Sequence, residues 1–226
     1  MKKALVVLSG GQDSATCAAW AAAMFDEVKA LSFFYGQRHS KELEAAKKIA
    51  KMFDMEHQTM DMNPLMGNKT SGLTDESISV NEKDEKTGLP KSFVPGRNLL
   101  FLNAAGSVAI SEGIFDIVTG VCQTDYSGYP DCRRDTINAV EDSIYLGNQE
   151  IVDKHGPGQF IIHTPLMYLT KAETVHLASR LPGGLDAVSE SWTCYEGGEK
   201  PCMQCPACEL RIKGFAEAGI DDPALG

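Results

Sequence analysis

The stretch that decides the fold lies near the N-terminus. It reads ALVVL at residues 4–8, followed at once by SGGQDS at residues 9–14. A short apolar run that ends at a glycine-containing turn is typical of a strand buried in a parallel sheet. The alanine-rich residues 13–24 that come next indicate a helix. Strand, glycine turn and helix in this order predict a βαβ unit and an α/β fold.

The same alternation runs through most of the chain and extends the sheet. Further strands are predicted at residues 28–34, 56–62, 114–120 and 159–164. Further helices are predicted at residues 40–53, 99–110, 135–146 and 170–180. Ser40 is the expected N-cap of the first of these helices, and TKAE at residues 170–173 is a capping-box pattern. We therefore expect a parallel, Rossmann-like sheet with helices on both faces.

Ligands in such folds bind beyond the carboxyl ends of the strands. The loops that follow Leu8, Phe34, Gly120 and Thr164 are therefore expected to face one site. Residues 63–92 break the pattern, since they are polar and lack periodicity. A loop of that length in a compact domain is typical of a lid, and a tolerated surface insertion is the alternative.

Composition limits the class of protein. The 226 residues are 43% hydrophobic and 23% charged, as in ordinary soluble proteins, and the formal net charge is −10. No apolar run approaches the ~18 residues that a membrane span needs, and no signal peptide is visible, so we expect a cytoplasmic protein with no membrane partner. An acidic chain is repelled by phosphate backbones, which favours a small substrate over nucleic acid.

The SGGQDS loop has the chemistry of an anion site. Its glycines let the backbone turn tightly and approach a ligand, and the helix that follows offers free N–H groups. Ser9 and Ser14 can add hydroxyl donors, whereas Asp13 repels phosphate and so indicates a bridging magnesium ion. The spacing alone also fits a plain strand-to-helix turn, and the Walker A pattern is absent.

Four of the seven cysteines crowd near the C-terminus, in the order Cys194, Cys202, Cys205 and Cys208. Two overlapping Cys-x2-Cys steps and a fourth thiolate predict a closed, structural metal site. The spacing also fits an iron–sulfur cluster or a set of buried thiols. Because the helix–strand alternation stops before this cluster, we divide the chain into an α/β domain at residues 1–180 and a metal-binding region at residues 181–226 packed on it.

Further motifs narrow the interpretation. They are YGQRH at residues 35–39, FVPGRN at 93–98, DYSGYPDCR at 125–133 and TPL at 164–166. In this order, with the SGGQDS loop and the cysteines, they resemble the 7-cyano-7-deazaguanine synthases of the PP-loop ATP pyrophosphatase superfamily. The resemblance covers about residues 5–215, nearly the whole chain.

The resemblance implies an ATP-dependent ligase of queuosine biosynthesis. Its substrates would be 7-carboxy-7-deazaguanine, ammonia and ATP with Mg²⁺, and its steps would be adenylation of the carboxylate and then of the amide. It also favours zinc, one ion per chain, and a homodimer. The ATP pyrophosphate would lie in the loop formed by Leu8, Ser9, Gly10, Gly11, Gln12, Asp13 and Ser14.

Negative charge builds up on the phosphate and the carboxylate in the adenylating transition state. Cations that stabilise this charge must already be in position. Arg97 and Lys171 are the candidate catalytic cations, together with Asp13. A lone Lys or Arg is more often a solvated surface residue, but both stand in family-like motifs. His39 is a candidate proton shuttle, and a residue that merely begins a helix is the alternative.

The guanine-like substrate presents two hydrogen-bond donors on one edge. Asp131 is the candidate acceptor, and an N-cap for the helix that begins near Arg133 is the alternative. Tyr129 or Tyr126 is a candidate for stacking on the base, with simple loop packing as the alternative. Arg38 and Arg133 complete the predicted substrate-binding residues.

Two other functions remain open at this point. A PP-loop tRNA-modifying enzyme, a thiolase or a lysidine-type enzyme, would also carry the loop and Cys-x2-Cys pairs, but the net charge counts against an RNA surface. A non-catalytic nucleotide-binding or zinc-containing interaction protein is the second alternative, and the intact loop counts against it.

Overall fold

A computed structural model describes residues 1–66, 71–75, 77–124, 128–154, 156 and 158–225. The described residues form a five-stranded sheet in the order β3-β2-β1-β4-β5, and every strand pair is parallel. The strands are β1 Lys3–Val7, β2 Glu27–Phe34, β3 Glu56–Asp61, β4 Asp116–Val118 and β5 Ile161–His163. The predicted α/β class with a parallel sheet is confirmed.

Nine α-helices surround the sheet in the described part of the chain. They are α1 Gln12–Met24, α2 Lys41–Met52, α3 Asn63–Met66, α4 Arg97–Ser111, α5 Arg134–Leu146, α6 Gln149–Lys154, α7 Lys171–Arg180, α8 Gly184–Glu190 and α9 Pro206–Ala218. All predicted strands and helices are present, with ends within two residues of the expected ones. The helices α3, α6, α8 and α9 were not predicted.

Two predicted helix starts have different outcomes. Thr170 caps α7 in a full capping box, because its hydroxyl accepts from the Glu173 N–H and the Glu173 carboxylate accepts from the Thr170 N–H. Ser40 does precede α2, but its hydroxyl donates to the Glu44 carboxylate at 2.9 Å and makes no cap with the backbone.

Different helices cover the two faces of the sheet. Within β1, Leu5 packs with residues of α4, α5 and α6, whereas Ala4 and Val6 pack with residues of α1, α2, α7, α8 and α9. Phe215 of α9 belongs to the same buried cluster as β1, so the C-terminal region is packed on the main sheet. The boundary proposed at residue 180 stays a prediction.

The strand order reverses between β1 and β4, and a crevice opens there beyond the carboxyl ends of the strands. The loops after these two strands touch, since a Cβ added at Gly120 would lie 3.1 Å from the Asp13 carbonyl carbon. The fold therefore places the SGGQDS loop at the position where open α/β sheets bind ligands. No helix in the described ranges has the length and apolar character to cross a membrane.

Candidate active site

A cavity of about 710 Å³ lies over the crevice, within the size range of ligand pockets. The loops after β1, β2 and β4 line it, as predicted, together with the start of α4 and residues within the segments 73–75 and 80–92. Thr164 is absent from the lining residues that the structure describes, and the loop after β5 reaches the cavity through Lys171.

The SGGQDS loop is held in one shape by its own hydroxyls. The Ser14 hydroxyl donates to the Gly11 carbonyl at 2.9 Å and accepts from the Gly10 N–H at 3.0 Å. Gly10 adopts a φ of +93°, and a Cβ added there would meet the Glu42 carbonyl oxygen at 1.9 Å. Only glycine therefore fits, because α2 packs directly on the loop.

The loop also presents unused donors to the cavity. No side chain caps the first turn of α1, so its N–H groups are available to an anion. Gln12 lines the cavity and is 4% exposed, and its Nε2 has no partner among the described residues. An orphaned buried donor beside a helix N-terminus fits a phosphate group.

Asp13 and Lys171 form an ion pair at the mouth of the loop. The Lys171 Nζ donates to both Asp13 carboxylate oxygens, at 2.7 and 2.9 Å, and the lysine side chain is 9% exposed. A Cβ added at Gly214 would lie 2.4 Å from the Lys171 Cγ, so a glycine in α9 makes room for the lysine stem. Two predicted catalytic residues are thus together and held in place.

Arg97 faces the same cavity from the first residue of α4. Its guanidinium donates to the Tyr35 hydroxyl at 3.4 Å and lies 5.8 Å from the Tyr35 ring centre. A cation at a helix N-terminus is electrostatically unfavourable. Asp131 offsets this, since its carboxylate accepts from the Asn98 N–H at 3.2 Å in the same helical turn.

Glu42 also lines the cavity, and the sequence interpretation missed it. It stands in the first turn of α2, in helical register with the buried residues Ala45, Ala46 and Ile49. Burial raises the pKa of Glu42 to about 7, and attraction by Arg97 only partly offsets that rise. A charged residue in line with the apolar stripe of an amphipathic helix was the signal that could have found it.

The four C-terminal cysteines converge as predicted. The sulfur atoms of Cys194, Cys202, Cys205 and Cys208 all lie within 4.8 Å of one another, and the group could hold a metal ion. Metal–sulfur bonds of about 2.3 Å in a tetrahedron separate thiolates by about 3.8 Å, so this spacing fits a single ion.

Backbone N–H groups support thiolates at this site. The Cys202 N–H donates to the Cys194 sulfur at 3.3 Å, and the Cys205 N–H donates to the Cys202 sulfur at 3.3 Å. Burial alone would raise the pKa of Cys202, but N–H groups of Gln204 and Cys205 bring it down to about 7. The donor set therefore suits a cation bound by ionised cysteines.

The cysteine cluster is tied to the SGGQDS loop. The Trp192 N–H donates to the Gly10 carbonyl at 2.8 Å, and the Trp192 ring N–H donates to the Cys194 carbonyl at 2.8 Å. The His39 Nε2 lies 3.1 Å from the same Cys194 carbonyl. Burial lowers the pKa of His39, which favours the neutral ring and a structural contact. Its role as a proton shuttle stays a prediction.

Comparison with known proteins agrees with this geometry. The family model described as "Queuosine biosynthesis protein QueC" matches residues 3–219. The chain belongs to this family. A 7-cyano-7-deazaguanine synthase from Laribacter hongkongensis is 52% identical over 98% of this chain and 93% of its own, and one from Chromobacterium violaceum is 49% identical over 99% and 93%.

Membership of the QueC family makes the chain an enzyme, an ATP-dependent ligase with a role in queuosine biosynthesis. Among solved structures, a predicted subunit of tRNA methyltransferase from Methanocaldococcus jannaschii matches with a TM-score of 0.52 at 18% identity. That match covers 79% of this chain and 76% of the other, and it supports the fold alone.

The predicted substrate-binding residues have varied positions relative to the cavity. Tyr129 lines it, with its hydroxyl 2.8 Å from the Ser92 hydroxyl. Asp131 is 6% exposed and Arg133 is exposed, and neither is among the described residues that line the cavity. Tyr126 lies outside the described residues. The substrate contacts of these four residues stay predictions.

Asp131 does not cap the helix that begins near Arg133, which was the alternative role. The N-cap residue Arg133 makes no side-chain cap, and the Arg134 N–H at the start of α5 donates to the Gln123 side chain at 3.0 Å. The carboxylate instead accepts from Asn98 at the start of α4, because the turn at Pro130–Cys132 packs there. The predicted N-cap role is therefore wrong for α5, because the carboxylate contacts the start of α4 instead.

Arg38 lines the cavity and organises the loop that borders it. Its guanidinium donates to the Asp75 and Ile78 carbonyls at 2.9 and 2.7 Å, and its N–H donates to the Leu73 carbonyl at 3.2 Å. Val80, in the same segment, is 2% exposed. Residues 71–75 and 77–92 are thus more ordered than their polar composition indicated, and they form one side of the cavity.

Proposed function

We propose that the chain converts 7-carboxy-7-deazaguanine, ammonia and ATP into 7-cyano-7-deazaguanine. The carboxylate is adenylated, ammonia forms the amide, and the amide oxygen is adenylated before AMP leaves. The observation that supports this most directly is the SGGQDS loop, with unused N–H donors, opening into a cavity at the strand-order reversal. The named relatives supply the substrate class.

In this proposal the residues Leu8 to Ser14 hold the ATP pyrophosphate, and Asp13 holds a magnesium ion. Lys171 then stabilises charge on the phosphates, and Arg97 stabilises charge on the carboxylate and the α-phosphate. Both cations are partly buried, so their charges act through a medium less polar than water and are worth more there. Tyr129, Arg38, Asp131 and Arg133 are the proposed contacts of the deazaguanine.

The cysteine cluster is proposed to hold one zinc ion per chain. Four thiolates leave no open coordination position, so the ion would be structural. With the ion bound, the cysteine cluster would hold Trp192 in place. Because Trp192 donates to Gly10, the cluster would thereby support the phosphate loop. A homodimer and a cytoplasmic location are further parts of the proposal that rest on the resemblance.

A product assay tests the proposed function. Purified protein, ATP, magnesium, ammonium and the carboxylic acid should give the nitrile by mass spectrometry, with two AMP and two pyrophosphate per nitrile. Formation of ADP and phosphate would contradict adenylation. A gel shift with bulk tRNA at low salt tests the tRNA-modifying alternative, and we expect no shift because the net charge is −10.

A further inference from the structure

One charged side chain in the cavity has no part in the scheme above. Glu42 lines the cavity beside the phosphate loop, in the first turn of α2. Its backbone is pressed against the loop, because a Cβ added at Gly10 would lie 1.9 Å from the Glu42 carbonyl oxygen. Backbone packing therefore fixes the position of Glu42 relative to any pyrophosphate in the loop.

The Glu42 carboxylate has no direct partner among the residues that the structure describes. Within the described part of the chain no hydrogen bond or salt bridge engages it, although Arg97, Tyr35 and Tyr195 lie close enough to act on it electrostatically. Glu42 is half-buried, and even partial burial of an unpaired carboxylate costs free energy. This side chain therefore does not stabilise the fold, which indicates a role with a ligand.

Arg97 indicates where the reacting group lies. Under the proposed function its guanidinium attracts the carboxylate that receives AMP, because a buried cation and a carboxylate pair strongly. Glu42 faces the same space as Arg97 and is next to the phosphate loop. With the substrate carboxylate at Arg97, the Glu42 carboxylate would face the carbon that ammonia attacks from the same cavity.

The reaction requires a base at that carbon. Ammonia is mostly ammonium near neutral pH and has no lone pair until it loses a proton. Attack forms the C–N bond, a second proton leaves the nitrogen, and the C–O bond to AMP breaks to give the amide. Adenylation of the amide oxygen and departure of AMP remove two more protons from the same nitrogen and leave C≡N.

We propose that Glu42 is the general base that takes these protons from the nitrogen and returns them to water between steps. The assignment rests on the proposed function and adds a catalytic residue to it. A base is most effective when its pKa lies near the working pH, and burial raises the pKa of Glu42 to about 7. The ionised carboxylate also attracts ammonium into the site.

The other carboxylates that line the described cavity are paired or exposed. Asp13 is paired with a lysine, and so is Glu82. Glu209 is exposed on α9. The His39 ring is held through its Nε2, 3.1 Å from a backbone carbonyl, although its Nδ1 has no partner among the described residues. Glu42 is therefore the carboxylate that is both sheltered and free to accept a proton.

Separate half-reactions test the assignment. Glu42→Gln keeps the shape and removes the base, and Glu44→Gln, on the exposed side of the same helical turn, is the matched control. With the acid and ATP but no ammonia, exchange of labelled pyrophosphate into ATP measures adenylation alone. Amide formation from ammonium and nitrile formation from added amide measure the proton-removing steps.

We expect Glu42→Gln to keep pyrophosphate exchange within about threefold of wild type and to lower both nitrogen steps about 100-fold or more. Hydroxylamine is uncharged near neutral pH and needs one proton fewer removed, so its capture of the acyl adenylate as a hydroxamate should fall less than amide formation from ammonium. Equal losses in exchange and in the nitrogen steps would overturn the assignment, and so would unchanged nitrogen steps. Absence of exchange in wild type would instead reject the proposed function itself.

Discussion

The cavity has two walls that are built in different ways. The phosphate wall consists of residues 9–14 and Lys171, and the substrate wall consists of Arg38, Arg97 and Tyr129. On the phosphate wall most hydrogen bonds that shape the loop join residues at most five positions apart, with distant bonds from Trp192 to Gly10 and from Lys171 to Asp13. On the substrate wall Arg38 is held by carbonyls 37 and 40 positions away.

The two walls should therefore respond differently to mutations. A wall fixed mainly by one short turn keeps most of its shape when distant residues are altered. A wall assembled from distant segments depends on all of them, so its stability follows the least stable segment. We therefore expect sharp, local effects on ATP chemistry from the phosphate wall and graded effects on substrate binding from the substrate wall.

The largest expected effect comes from Lys171. Lys171→Met keeps the stem packed against Gly214 but removes the ammonium group, which we expect to lower pyrophosphate exchange about 100–1,000-fold. Arg180→Met, at the exposed end of the same helix, is the control and should change little. Exchange within tenfold of wild type would show that the Asp13–Lys171 pair is structural.

Loss of the metal ion proposed for the cysteine cluster should weaken both walls together. Cys202→Ser removes one thiolate, and we expect it to lower stability by about 3 kcal/mol, with metal content falling in parallel. Exposed Gln204→Ala is the control. Elemental analysis and thermal melting measure the two effects. A variant that keeps its melting temperature without the metal would show that metal binding at the cysteine cluster does not stabilise the fold.

The sequence was sufficient for the parts of the molecule that depend on local pattern. The strand order could not be read from it, but every predicted strand and helix exists, and the loop of residues 9–14 lies where the alternation placed it. The start and end of α9 carry signals that were overlooked, Pro206 at its first position and Gly219 just after it.

The substrate wall was harder to predict because its contacts join distant segments. Nothing local to Arg38 shows that its guanidinium holds the carbonyls of Asp75 and Ile78. Asp131 was assigned from its loop, whereas its backbone partner is Asn98 in another helix. Glu42 looks like an ordinary charge at a helix start until packing places its helix against the phosphate loop.

A substitution at Asp131 tests whether this side of the cavity recognises the base of the substrate. Asp131→Asn keeps an oxygen for the Asn98 N–H but loses a charge and an acceptor. We expect the affinity for the deazaguanine acid to fall by about 1.5–3 kcal/mol, with ATP affinity nearly unchanged. Calorimetry measures both, and exposed Asp135→Asn is the control. Unchanged affinity for the acid would limit Asp131 to its contact with α4.

Glu42 should destabilise the fold where it is ionised. Its pKa is raised in the folded protein, so the native state binds the proton more tightly and stability falls as the pH rises toward 7. The groups facing it, Arg97, Tyr35 and Tyr195, keep their charge states through that range.

We therefore expect Glu42→Gln to be more stable than wild type at pH 8, by on the order of 1 kcal/mol. The difference should disappear as the pH falls through 7 and below the ordinary pKa of a glutamate. Thermal melts of Glu42→Gln and the exposed Glu44→Gln across this range measure it. A Glu42→Gln variant that is less stable at every pH would show that the carboxylate has a stabilising partner.

The smallest expected effect concerns the segment predicted to be a lid. Residues 77–92 border the cavity, and the Lys91 N–H donates to the Glu82 carbonyl at 2.8 Å. Lys86 lies in the exposed turn between Asp84 and Leu89. A closed site protects an adenylate from water, so bound ligands should slow the opening of this segment.

Trypsin can measure that opening, because cleavage of a transiently opened segment follows the population of its open form. With ATP analogue and substrate acid bound, we expect cleavage at Lys83 and Lys91 to slow about threefold. Cleavage at Lys86 should change less, since that turn is exposed with or without ligand, and it serves as the internal reference. Arg38→Met should raise cleavage at Lys83 and Lys91 by removing the two carbonyl contacts, with Arg180→Met as an exposed control. If ligand binding is demonstrated and the three lysines are cut at unchanged relative rates, the segment is a surface insertion, and the substrate wall is as rigid as the phosphate wall.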